Sequence, residues 1–268
     1  MKMNFVKIVA ATVLVSLTVS LAGCASKDTN GVDVIKKAKQ IVVGTSGDYP
    51  PYEYHAQVNG KDEIVGFDIE IAKQIAKDLG VELVIKDMKF DALLAALDTG
   101  KVDFVMAGMT PTPEREQNVD FSKIYYNAVQ TLVVRAKDKG TITSVDALND
   151  KLVAVQKGSI QEDIAKNQLP KAKAVALSKI SDEMLELKNN KVDALIVEAP
   201  VSGAYLIKNS DLALADLKLK TEDSGSAVAI KKGNTALKDA INKSLDKLIA
   251  DKQIDALVSK ATDAVEAK

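Results

Sequence analysis

The sequence predicts an α/β protein built as two lobes. From residue 41 onward, short β-branched runs alternate with longer segments of helical periodicity, the pattern of β-α-β units. Near residue 151 the alternation starts again. Stretches of the two halves also match, and in the same order. "ALDTGKVDFVMAG" and "ELKNNKVDALIVE" both run from a helix end through Lys-Val-Asp into an apolar strand. "IVVGTSGD" and "LVAVQKGSI" both run from an apolar strand into a Gly/Ser turn.

In order, 41–45 reads as a short buried strand and 66–80 as a helix. Asp68 can cap that helix, Ile71, Ile75 and Leu79 line one face, and Gly80 stops it. A strand follows at 81–88, then a short helix at 90–100 closed by Gly100. The run 102–108 is nearly all apolar, as a strand covered on both faces requires. The second series places strands at 151–156, 172–177 and 192–198 and helices at 159–169 and 181–190. Two β-rich runs, 128–136 and 225–232, flank it, and the chain then reads as helical to its end. The simplest assembly puts 38–130 plus 226–268 in lobe 1 and inserts 131–225 as lobe 2. Two extended strands crossing between them would form a hinge, with a cleft beside it.

Composition narrows the chemistry. The chain has 268 residues, one cysteine, one histidine and a formal net charge of −1. That charge gives no electrostatic case for nucleic acid. With only Cys24 and His55, neither an internal disulfide nor a Cys/His zinc cluster can form. His55 lies in the polar, turn-like "YEYHAQVNGKDE" and reads as a surface residue rather than a base. Nothing in the sequence implies a cofactor.

Residues 1–23 form an export signal, with Lys2 and Lys7 ahead of an uncharged, mostly apolar run. Its end, Leu21-Ala22-Gly23-Cys24, resembles a bacterial lipobox, which implies lipid on Cys24 and attachment to the outer face of the cell membrane. Residues 24–37 then read as a polar tether.

"GTSGDYPPYEY", "GFDIEIAKQIAKDLG", "AGMTPTPERE…VDFSKIYY", "LVAVQKGS" and "VDALIVEAP" follow one another as in the polar amino acid-binding proteins of ABC importers. The chain resembles that family over essentially residues 40–260. The resemblance implies a two-lobed type II periplasmic-binding-protein fold closing on one free amino acid. It also implies delivery to an ABC permease. The chain has no GxxxxGK[ST] phosphate loop, so a separate ATPase would power import.

The residues themselves suit that work. The chain has only two arginines, Arg115 and Arg135. Thr112 can cap a new helix, Pro113 suits its first position, and Arg115 then falls in the first turn. A guanidinium offers a carboxylate two parallel N–H groups, which lysine cannot. "SIQE" reads as a capping box on Ser159 and Glu162. Glu198 ends an apolar strand and should project into the cleft, where it could meet an ammonium.

By resemblance, Thr110 donates to the same carboxylate as Arg115, and Gly108 lies where the ammonium meets a backbone carbonyl. Ser159 caps its helix and, in the family pattern, also donates across the cleft. Tyr49 and Phe90 flank the ligand side chain, Gln156 faces it, and Tyr52 packs at the lobe edge. Tyr54 reads as a half-exposed strand residue. Ser46 stands where several relatives that bind basic amino acids carry an acid, which weakens the case for such a ligand. Asp48, Glu53 and Asp91 could still supply charge. Both a glutamine- or asparagine-like and a basic side chain therefore stay open. Two other functions share the fold: a prephenate-type dehydratase with Glu198 as its acid, and an extracellular sensor module.

Overall fold

A computed structural model describes residues 31–220 and 225–267. The expected signal segment 1–23, Cys24 and residues 24–30 of the expected tether lie outside them. In chain order the first elements are α1 (Gly31–Ala38), β1 (Gln40–Thr45), β2 (Asp48–Tyr49), β3 (Glu53–Val58), β4 (Lys61–Val65), α2 (Phe67–Leu79) and β5 (Glu82–Asp87). A 3-10 turn over Phe90–Ala92 runs into α3 (Leu93–Asp98), followed by β6 (Phe104–Val105), α4 (Pro113–Asn118), β7 (Val119–Asn127) and β8 (Gln130–Arg135). Then come β9 (Leu152–Gln156), α5 (Ile160–Gln168), β10 (Lys173–Leu177), α6 (Ile180–Lys188), β11 (Ala194–Glu198) and α7 (Ala199–Leu206). The last are β12 (Leu212–Leu214), β13 (Gly225–Lys231), α8 (Thr235–Ala250) and α9 (Gln253–Glu266).

Two five-stranded sheets organise the lobes, in the orders β5-β1-β6-β13-β7 and β10-β9-β11-β8-β12. In each, the series' first strand pairs parallel with two neighbours, β1 with β5 and β6, and β9 with β10 and β11. In each, the next strand along is antiparallel, β13 on β6 and β8 on β11. The repeated Lys-Val-Asp acquires a physical meaning here. Asp103 Oδ2 accepts the Val42 N–H at 2.7 Å while its own N–H donates to Val42 O at 2.8 Å. Asp193 does the same to Leu152, at 3.0 and 2.7 Å. Each aspartate thus pins the first strand of its lobe at the point where the middle strand enters.

Strand β11 is buried along its whole length. Leu195 and Val197 pack with Ile180, Met184 and Leu187 on one face, and Ala194 and Ile196 with Leu132, Val153 and Ala165 on the other. Alternate residues of a strand point to opposite faces, so a strand covered twice must be apolar throughout. Each Val, Leu, Ile or Met side chain among them contributes about 1.5–3 kcal/mol by leaving water. Arg135, the second arginine, is a structural clasp: Nη1 donates to Leu187 O at 3.0 Å and Val192 O at 2.6 Å, and Nε to Asp138.

Several sequence expectations are corrected. Residues 31–38 are helical rather than tether, because Val32 and Ile35, three apart, share a face and Ile35 is buried where α1 meets α8. The stretch around His55 is a hairpin, β3 and β4 joined through Asn59 (φ 51°) and Gly60 (φ 77°), a turn whose twist suits a two-residue loop. His55 is exposed on it and bonds Asp62 and Asp87. Asp68 does not cap α2. Gly66 holds the cap position at φ 134°, where a Cβ would lie 2.0 Å from Tyr52 O, and Asp68 is wholly buried. Within 102–108 only Phe104–Val105 pair as strand, although Met106 and Ala107 are buried too.

The two runs expected to cross the hinge each stay within one sheet. Gln130 already belongs to the second sheet and Gly225 to the first. The passages between sheets are residues 128–129 and the connection from β12 to β13. Helix α7 and strand β12 were not foreseen.

Candidate functional site

The strand ends of the two sheets face one another across a cleft. On the first side, Thr112 Oγ1 accepts the Arg115 N–H at 3.2 Å and Pro113 opens α4, so Arg115 falls in the first turn as its sequence requires. Arg115 Nη1 donates to Thr110 O at 2.6 Å, and Nη2 reaches across to Gly158 O at 2.8 Å. The guanidinium carbon stands 5.5 Å from the centre of the Phe90 ring, in cation–π range. Burial lowers the Arg115 pKa to about 10, against the pull of Asp163 and Glu114, so the group stays charged at neutral pH. Among the described residues, two of its five N–H donors are engaged, which leaves others for a ligand.

On the second side, Ser159 caps α5 by accepting the Gln161 N–H at 3.2 Å, and its own hydroxyl donates to Gln156 O at 2.6 Å. The expected capping box is displaced by one residue: Glu162 accepts from the Gly158 N–H, not from Ser159. Gln156 is buried, and its Nε2 has no acceptor among the described residues. Glu198 closes β11, is buried, and accepts the Tyr52 hydroxyl at 2.5 Å. Burial, with the charge of Asp68 adding to it, raises the Glu198 carboxyl to about 7, while hydrogen bonds from Tyr52 and Gln130 act the other way. Gln161 joins the set by donating from Nε2 to Gln130 Oε1 at 2.9 Å.

Eight of the nine residues expected at the site line one small, nearly closed cavity: Arg115, Thr110, Gly108, Ser159, Glu198, Tyr49, Phe90 and Gln156. Ala107, Ile160 and Gln161 complete its wall and were not anticipated. Gly108 has φ 56°, and a Cβ there would stand 3.3 Å from the Tyr49 ring. Ser46 is the exception. It is buried, donates to Asp48 Oδ1 at 3.0 Å, and lines a separate cavity with Asp87, His55 and Lys179. None of the three other acids that could supply charge lines the cavity: Asp48 accepts the Ile180 N–H, Asp91 pairs with Lys157, and Glu53 is buried behind the cavity.

Two residues take part in ways not expected of them: Tyr52 was expected only to pack at the lobe edge and Asp68 to cap α2. Tyr52 is wholly buried, with ring centroids of Phe67 at 4.4 Å and Tyr49 at 5.3 Å, so it fastens the wall to Glu198. Asp68 accepts the Gly108 N–H at 3.0 Å from beneath the cavity.

The sequence pattern of the bacterial extracellular solute-binding proteins, family 3, matches residues 41–263. The chain belongs to that family. Among curated members, the arginine-binding extracellular protein ArtP of Bacillus subtilis (strain 168) is 40% identical over 247 residues, 91% of this chain and 93% of that one. Among solved structures, the amino acid ABC transporter substrate-binding protein AbpA of Streptococcus pneumoniae Canada MDR_19A, bound to L-arginine, aligns with TM-score 0.85 and 42% identity. It covers 88% of this chain and 100% of that one. The ancestral amino acid-binding protein AncCDT-1, a precursor of cyclohexadienyl dehydratase, aligns with TM-score 0.78 and 36% identity, over 86% and 99% of the two chains. As a solute-binding protein of family 3, the chain has the two-lobed α/β fold that its sequence predicts, and it works outside the cytoplasm.

Proposed function

We propose that this solute-binding protein captures one free amino acid, L-arginine first among them, and delivers it to an ABC permease driven by a separate ATPase. The observation that carries the reading is charge placement. A fixed cation, Arg115, and a buried carboxyl, Glu198, line the same cavity from opposite lobes. A zwitterion matches that pair, carboxylate to guanidinium and ammonium to carboxylate. The two lobes both touch the ligand only when closed, so binding favours closure. Of the two side-chain classes left open by the sequence, the relatives named for arginine favour the basic one. Thr110, Gly108, Ser159, Tyr49, Phe90 and Gln156 would complete the contacts, and lipid on Cys24 would hold the protein at the membrane.

A thermal-shift panel of free amino acids, on protein lacking residues 1–24, tests this. A ligand that binds the native state must raise the melting temperature. L-arginine is expected to give the largest rise, and no rise with any amino acid would overturn the reading. Cys24→Ser is expected to release the protein from the membrane fraction.

A carboxyl held near pH 7 also fits a general acid. Incubation with prephenate, followed by absorbance, is expected to yield no product; turnover would place the protein with the dehydratases instead.

A further inference from the structure

Two wholly buried carboxyl groups lie behind the cavity without lining it. Asp68 sits in the first turn of α2 and Glu53 opens β3. Asp68 Oδ2 accepts the Gly108 N–H at 3.0 Å and the Tyr125 hydroxyl at 2.8 Å. Its Oδ1, and both oxygens of Glu53, have no donor among the described residues. The Asp68 N–H donates to the carbonyl of Tyr52, the residue before Glu53, at 3.0 Å, which brings the two carboxyls near enough for each to act on the other. Two ionised carboxylates are acceptors only, so the pair can bond only when one of them carries a proton.

The surroundings favour that proton. The charges acting on Glu53 are those of Asp68, Asp48 and Glu198, all acidic. Asp68 meets the Gly108 amide from the cavity loop, the Tyr125 hydroxyl from β7 and Glu53 from β3. Burial is the largest influence on both carboxyls and raises both, that of Asp68 to about 6.

Asp68 also sets the direction of a peptide group. In a trans peptide the N–H of one residue and the C=O of the residue before it point opposite ways. Because the Gly108 N–H is turned into Asp68, the Ala107 carbonyl is turned away from α2. Ala107 and Gly108 both line the cavity.

We propose that Glu53 and Asp68 share one proton and act as positioning residues, Asp68 fixing the Ala107–Gly108 peptide that receives the ligand ammonium and Glu53 steadying Asp68. This rests on the amino-acid reading above for its ligand, but not for the proton. Neither residue touches the ligand. Loss of the shared proton would set two like charges side by side and loosen the peptide they hold.

Two measurements test it. The first needs no ligand. The infrared difference spectrum of wild type minus Glu53→Gln, at pH 7.5, is expected to show the carbonyl band of a protonated buried carboxyl. Identical spectra would overturn the shared proton even if L-arginine binds well. The second compares L-arginine with its analogue lacking the α-amino group. Wild type is expected to prefer L-arginine, and Asp68→Ala to weaken L-arginine at least tenfold while the preference collapses. Asp68→Asn, which keeps an acceptor for Gly108 and offers its amide to Glu53, is expected to restore it. Circular dichroism of each variant shows that the fold is kept. A preference unchanged in Asp68→Ala would overturn the positioning role, whereas wild type that binds no amino acid refutes the transport reading and leaves the infrared result to decide the pair.

Discussion

The Tyr52 hydroxyl donates to the Glu198 carboxylate at 2.5 Å, from 146 residues away and from the opposite lobe. The bond joins the wall of the cavity in one sheet to the anion in the other, so it exists only while the lobes are together. Tyr52→Phe removes a donor from a buried carboxylate, a loss of about 1–3 kcal/mol. L-arginine binding is expected to weaken by about tenfold, the equivalent of ~1.4 kcal/mol, when followed by titration calorimetry.

Glu198 should also make affinity depend on pH. Burial raises its carboxyl to about 7 in the unliganded cavity. A ligand ammonium favours the ionised form and draws that value down, so below pH 7 binding must release a proton. Affinity is therefore expected to be level above about 7 and to fall by up to about tenfold per pH unit below it. Glu198→Gln should bind weakly and show no such acid limb. A wild-type affinity that is flat from pH 5 to 8 would exclude Glu198 as the ammonium partner.

Arg115→Lys keeps the charge and loses the fork. It gives up the simultaneous bonds to Thr110 O and Gly158 O as well as the paired donors for a carboxylate. Charged hydrogen bonds contribute about 1.5–3 kcal/mol each, so binding should drop by ten- to a hundredfold or so. The loss should be similar for every amino acid that binds, because the carboxylate is common to all of them. Unchanged affinity in calorimetry would rule out the bidentate role.

A second bridge, away from the cavity, concerns the resting shape. Asp48 Oδ2 accepts the Ile180 N–H at 2.7 Å, and its carbonyl accepts the Tyr205 hydroxyl at 3.1 Å. Both donors belong to the opposite lobe, on α6 and α7. Asp48→Ala combined with Tyr205→Phe is expected to enlarge the radius of gyration of the ligand-free protein in small-angle X-ray scattering. Saturating L-arginine should reverse the change, whereas equal radii for variant and wild type would deny the bridge any part in closure.

Much of this site was legible because its parts sit at ends of elements, where local rules are strong. Thr112, Pro113 and Arg115 follow capping logic, and Glu198 follows an apolar run that can only be a buried strand. The repeated Lys-Val-Asp announced two lobes before its hydrogen bonds gave the reason. The bond from Tyr52 to Glu198 was not legible, since the partner lies far along the chain and no spacing encodes that distance. Asp68 was misread because an acid in a first turn usually caps, and here burial beneath Gly108 overrides the habit. Asn59-Gly60 carried a plain hairpin signal that the polar residues around it obscured. Ser46 shows the limit of position-by-position transfer: one hydroxyl turned toward Asp48 leaves it outside the cavity.

Asp103 and Asp193 each lock the first strand of one sheet to its middle strand. Each sheet is thereby a stiff plate in its own right, and the freedom left to the chain is concentrated in the two passages that join them. Under the proposed function, occupancy of the cavity would be expressed as the spacing of the plates, and a membrane partner resting on both would read it without touching the cargo.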